Sequence, residues 1–240
     1  MRRVLGAGVT LLIGLAIIAA VAIGFHAQKY HAVVGTEKAK PTGTFETVNG
    51  KNLPVYTLTL TSFPDSSGMT KDASGNLVPI HKGGNPGWPA FGPSNDFEIP
   101  AGVLVKVNWR QYDSGEPLNN NWFASPKGIV GPMLIDGKPQ ATIDPEFVGH
   151  TFTVRGTPGT DPNFFLNVAS PANIADEPTN DDPMASSPKE PGGQLVQFSF
   201  ISPKKGVYAW NCEFPCGASV ANFGAVMGAY GYMSGYIHVV

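Results

Sequence analysis

Val207-Tyr208-Ala209-Trp210-Asn211-Cys212-Glu213-Phe214-Pro215-Cys216-Gly217 is the stretch whose reading decides the fold. Tyr208, Trp210 and Cys212 alternate with Ala209 and Asn211, the period of two that marks a strand with one face toward a core. The turn Ser202-Pro203-Lys204-Lys205-Gly206 separates it from a second alternating run, Val196-Gln197-Phe198-Ser199-Phe200. Further along, Met233-Ser234-Gly235-Tyr236-Ile237-His238-Val239 places Met233 on the face of Ile237 and Val239. Upstream, His150-Thr151-Phe152-Thr153-Val154 puts His150 on the face of Phe152 and Val154. In the run from Val103 to Arg110, Val103, Val105, Val107 and Trp109 share a face. Tyr56, Leu58 and Leu60 alternate with threonines in a further half-buried strand. Residues 64–95, 113–149 and 176–193 carry Gly, Pro, Asn and Asp in the manner of long loops. Short strands divided by turns, with no amphipathic helix of useful length, predict an all-β sandwich or barrel with long loop insertions.

Composition agrees. Of 240 residues only 14% are charged, while Gly (29) and Pro (22) are abundant and aromatics reach 10%. A helical bundle or coiled coil needs charged faces and few breakers, so both are excluded. With 42% hydrophobic residues the chain has the material for a core, which excludes disorder. A net charge of -2 with no basic block gives no surface for nucleic acid.

The start of the sequence is of another kind. After Met1-Arg2-Arg3, residues 4–25 carry no charge, and Thr10 is the one polar side chain. About 20 apolar residues suffice to cross a bilayer as a helix, so residues 1–25 are expected to be a transmembrane anchor. A cleaved export signal, with Ala20-Val21-Ala22 near the cleavage site, is the alternative. Residues 26–51, without apolar periodicity, read as a linker, and 52–240 as the folded domain. Either reading of the first segment exports the domain, and the anchor reading gives a single-pass protein of the cell membrane with its C-terminal domain outside the cytoplasm.

The cysteines, Cys212 and Cys216, are the only two in the chain. A disulfide between them would close a very small loop and remove little chain entropy. The parity above offers a second reading. A histidine, a cysteine and a methionine each lie at the end of a core-facing set, and a soft thiolate with imidazole and thioether is the donor combination of a copper electron-transfer site.

These residues carry a family resemblance. Residues 206–212 resemble the strand that leads to the copper cysteine of cupredoxins. Residues 233–239 resemble the axial methionine and closing strand of azurin- and plastocyanin-like members. His150-Thr151-Phe152-Thr153-Val154, with Phe165-Leu166-Asn167-Val168, is similar to the first-histidine region of subunit II of haem-copper oxidases, and Cys212 to Gly217 matches the Cys-x-x-x-Cys-Gly motif of its CuA centre. The resemblance covers about residues 95–240. It implies a Greek-key β-sandwich, copper as cofactor, and His150, Cys212, Cys216 and Met233 as metal ligands. It also implies electron transport with a redox protein or oxidase subunits as partners. One feature of the family is missing: residues 213–232 contain no histidine, where relatives carry a second one. His81 is the reachable substitute. Three outcomes stay open, namely copper on the four named residues, a histidine from elsewhere, or a metal-free assembly module with a Cys212–Cys216 disulfide. A Cys-x-x-x-Cys copper chaperone of the Sco kind ranks last, because there the dithiol precedes a helix early in the chain.

Overall fold

The computed structural model describes residues 13–19, 35–63, 69–71, 77–79, 89–113, 120–172, 193–214, 216 and 231–240. Its strands form two sheets. The first runs in the order β1 (Glu37–Lys38), β7 (Asp96–Ile99), β15 (Ser234–Val239), β14 (Gly206–Asn211), β11 (Val148–Arg155), β12 (Phe165–Pro171). The second runs β10 (Lys138–Gln140), β9 (Met133–Ile135), β13 (Gln194–Ile201), β8 (Leu104–Gln111), β3 (Lys51–Phe63), β2 (Lys40–Val48), with β6 (Ala90–Gly92) paired to the end of β3. A separate hairpin joins β4 (Met69–Lys71) and β5 (Leu77–Pro79). Most neighbours are antiparallel, but β1–β7, β7–β15 and β3–β8 are parallel. Parallel neighbours cannot be joined by a tight hairpin, so the chain crosses between the two sheets.

The alternation in the sequence explains the core. In β8 Val105, Val107 and Trp109 point inward, and in β14 Tyr208 and Trp210 do. The two layers meet through rings: Phe152 of β11 stands 6.3 Å from Phe198 of β13, and Phe91 of β6 packs edge-on to Trp210 of β14 at 5.0 Å. Trp109, Trp210, Tyr208, Phe91, Phe97, Phe152 and Phe200 are the largest fully buried side chains among the described residues. Such ring pairs add about 0.5–1.5 kcal/mol each beyond the area they bury. The result at the end of the sandwich that matters below is a stiff frame.

Three local expectations differ. Residues 37–48, inside the stretch read as linker, form β1 and β2. β2 is an edge strand exposed along nearly its whole length, so it carries no period of two to betray it. The stretch read as loop from 113 to 149 contains a single-turn helix at Asn121–Ala124, the hairpin of β9 and β10, and a 3-10 turn at Pro145–Phe147. Within residues 64–95 lie β4, β5 and β6. Pieces of three or four residues are shorter than any pattern can resolve. Of the expected membrane anchor, residues 13–19 are described and are helical. Among the described residues no helix is long and apolar enough to cross a membrane.

Gly149 shows how tightly this end of the sandwich closes. A Cβ there would run into the Gln111 side-chain amide nitrogen and stand 2.9 Å from the Pro171 carbonyl oxygen and 3.2 Å from the Ala172 Cα. Two of those three atoms are backbone and cannot swing aside. Gly149→Ala is therefore expected to destabilise the fold by about 1–3 kcal/mol, as other overpacked sites do. The midpoint of urea unfolding measures it, and an unchanged midpoint would contradict the packing described.

Candidate metal centre

His150 comes from β11, where the pairing with β12 shifts register between Val148 and Thr151. At that irregularity the ladder is replaced by a side chain: Ser170 Oγ accepts from the His150 N–H at 3.1 Å and donates to its carbonyl at 3.3 Å. Cys212 follows the last residue of β14, and its N–H donates to the Met233 carbonyl at 2.8 Å. That bond continues the β14–β15 register, which pairs Asn211 with Ser234 and Trp210 with Gly235. Residues directly opposed in an antiparallel pair point to the same face, so Met233 lies on the core side beside Cys212. It is completely buried in the same apolar cluster. Cys216 donates its N–H to the Phe214 carbonyl at 2.7 Å.

Together these elements bring three donor atoms to one point. His150 Nδ1 lies 3.2 Å from Cys216 Sγ and 3.8 Å from Cys212 Sγ, and the two sulfurs are 3.3 Å apart. Both thiols are free. Among the described residues this is the group of histidine, cysteine and acidic side chains close enough to hold a metal ion. All three are buried, at 1%, 0% and 3% exposure. The triangle fits an ion. A point equidistant from its corners is about 2.0 Å from each in their plane, and about 2.2 Å from each when raised by about 1 Å, within the usual range of metal–nitrogen and metal–thiolate bonds.

The surroundings prepare Cys212 to be an anion. Its sulfur accepts backbone N–H bonds from Thr151 at 3.3 Å and Phe214 at 3.4 Å. Burial pushes the thiol's pKa up, but the Cys216 thiol, His150 and the Thr151 N–H outweigh it and hold Cys212 well below the ordinary thiol range. Cys216 moves the other way: burial first, then the neighbouring Cys212 anion, push it well above that range. Burial alone would lower His150; hydrogen bonds to Asp113 and Cys212, and their negative charge, override it and raise the group to about 9. All three shifts favour negative charge on Cys212 and positive charge on His150. A metal ion would take the place of the proton on Nδ1.

Asp113, Thr151 and Gln111 belong to this centre and were not found from the sequence. Asp113 Oδ2 lies 2.8 Å from His150 Nε2, on the side of the ring away from the sulfurs. Thr151 Oγ1 accepts from the Glu213 N–H at 2.7 Å, which pins the residue after Cys212. Phe91 and Phe214 flank the imidazole, with centroids at 6.2 Å and 6.4 Å. His238 is elsewhere: it sits on β15 opposite Val207, several residues beyond Met233. His81 lies outside the described residues, as do His26 and His31.

No family model matches the chain, and no curated protein does. Among solved structures it is similar to reduced rusticyanin, at 17% identity over 78% of this chain and 83% of that one, with a TM-score of 0.32. It is also similar to auracyanin B, at 15% identity over 84% and 97%, with a TM-score of 0.28. Rusticyanin from Thiobacillus ferrooxidans, in another structure, gives 15% identity over 87% and 100%, with a TM-score of 0.28. Likeness this distant carries no weight beside the geometry.

Proposed function

We propose that this protein is a membrane-anchored, cupredoxin-type copper protein that passes single electrons outside the cytoplasm. The observation that carries the reading is the convergence of His150 Nδ1, Cys212 Sγ and Cys216 Sγ within 3.8 Å of one another in a buried, ring-lined pocket. Soft sulfur with one imidazole suits copper or zinc, and Met233, held beside Cys212 where it suits a weak fourth ligand, favours copper. Bound copper would cycle between two oxidation states and so carry one electron at a time. The chain's own residues supply the rest. Two backbone N–H groups steady the Cys212 sulfur in either state. The aromatic packing around His150 excludes water, and the paired strands limit movement when the charge changes.

The anchor is part of the same proposal. Residues 4–25 have the length and composition of a span. In the helical stretch 13–19, Ile13, Leu15, Ile17 and Ile18 are all exposed, which water does not favour. The electron partner is then a redox protein at the membrane, or the other subunits of an oxidase.

Metal analysis of the full chain, purified in detergent from the membrane fraction, tests the reading. About one copper per chain and a visible thiolate-to-copper band, bleached on reduction, are expected. A colourless protein that takes up no copper would overturn it. A second reading has one observation in its favour, the 3.3 Å between the two sulfurs, from which a disulfide needs only a small movement. In that case the chain is a metal-free partner-binding module, and thiol titration of the isolated protein returns no free cysteine.

A further inference from the structure

We propose that Asp113 is the positioning residue of this centre: its carboxylate fixes the His150 ring so that Nδ1 faces the sulfurs, and its charge favours the oxidised metal. The inference rests on the copper reading above and adds a residue that is not itself a ligand.

The geometry begins at the ring. An ionised carboxylate only accepts hydrogen bonds, so the 2.8 Å contact to Asp113 Oδ2 puts an N–H on Nε2. A metal-binding imidazole carries one ring proton, which leaves Nδ1 as the donor. Nδ1 is the nitrogen aimed at Cys212 and Cys216. Outer groups that hold a ligand histidine in this way orient it and raise its basicity.

Asp113 is in turn held from behind. The Gln111 side-chain amide reaches both backbone groups of Asp113, donating from Nε2 to its carbonyl at 2.9 Å and accepting its N–H at Oε1 at 3.4 Å. Gln111 Oε1 also accepts the Ser62 hydroxyl, and Ser62 Oγ accepts the Trp109 indole N–H at 2.9 Å. Ser62, Trp109 and Gln111 are all fully buried. A buried polar chain of this kind costs desolvation, and the inward face of Val105, Val107 and Trp109 would be satisfied by another apolar residue at 111. Its product is a fixed backbone at Asp113, from which the carboxylate reaches His150 Nε2. The Asp113 side chain remains 13% exposed, compared with 1% for His150, which eases the cost of keeping it charged.

The charge has a consequence. Cys212 and Asp113 flank the imidazole with negative groups on both sides, and Arg155, at the far end of β11 from His150, is engaged with Glu213. Extra negative charge stabilises the more positive metal, so removing it should move the reduction potential upward.

The test uses the full chain as wild type, Asp113→Asn and Asp113→Ala. Asparagine keeps an acceptor for Nε2 and loses the charge; alanine loses both. Three readouts are taken: copper affinity, reduction potential, and the ring N–H of His150 in the diamagnetic copper(I) protein by nitrogen-resolved NMR. Asp113→Asn should retain colour and a slowly exchanging Nε2–H, with a potential more positive than the wild type. Asp113→Ala should lose protection of that proton and bind copper roughly 10- to 100-fold more weakly, the range for loss of such a group. A wild-type potential in Asp113→Asn, or wild-type affinity and proton protection in Asp113→Ala, would overturn the inference and leave the copper reading standing. A wild type that binds no copper removes both. Asp113→Asn is nearly isosteric, so its readouts do not depend on the alanine variant folding.

Discussion

Cys212→Ser is expected to abolish the visible band and to weaken copper binding by at least about 100-fold, since loss of an outer group alone costs 10- to 100-fold. The sulfur is the shared neighbour of four residues of the site. It is 3.3 Å from the Thr151 nitrogen, 3.4 Å from the Phe214 nitrogen, 3.3 Å from Cys216 Sγ and 3.8 Å from His150 Nδ1. Those neighbours hold the thiol well below its ordinary pKa against the effect of burial, so the site offers a ready thiolate. A serine hydroxyl stays protonated, is a hard donor, and reaches less far from the backbone. It still accepts backbone N–H bonds, so the loss should be confined to the centre. Circular dichroism and the urea midpoint of the metal-free variant check that confinement. A Cys212→Ser protein with full colour would mean that the ligand set is misassigned.

The same numbers show what could be read from residues alone. β8, β14 and β15 were legible because each buries one face, and burial on one face writes a period of two into the sequence. β2 was not, because a solvated edge strand has no face to mark. Parity was enough to send His150 and Cys212 to one interior, since each side chain's direction follows from its neighbours in the strand. Distance was not legible. That Cys216 Sγ reaches Nδ1 depends on how the chain turns after β14, and nothing in Glu213-Phe214-Pro215 encodes that turn unaided. Asp113 was hidden for a stronger reason. It lies 37 residues from His150, just past the end of β8, in what read as the start of a loop. Its aim at Nε2 is produced by the register irregularity in β11 and by the Gln111 clamp, which exist only once the sheets have packed.

Cys216→Ser decides whether Cys216 is a ligand, and copper binding is expected to fall by at least about 100-fold, as for the loss of any thiolate ligand. Cys216 Sγ is closer to Nδ1 than Cys212 Sγ is, at 3.2 Å against 3.8 Å, so an ion bound to the imidazole and Cys212 would lie against it. Burial and the adjacent anion push this thiol well above its ordinary range, so copper must displace a proton to gain the sulfur. If Cys216 were a bystander, the variant would keep both its metal and its colour, and the four-residue donor set would be wrong. The number of metals follows from nitrogen counting. Two coppers bridged by both sulfurs need an imidazole each, yet among the described residues His150 is the one histidine at the site, and residues 217–230 contain none. Electron spin resonance of the oxidised wild type should therefore show hyperfine splitting from a single copper nucleus. Splitting shared over two equivalent nuclei would refute the single-copper reading and require a second nitrogen donor. His81 is the first residue to substitute in that event, and loss of the shared splitting in His81→Ala would identify it.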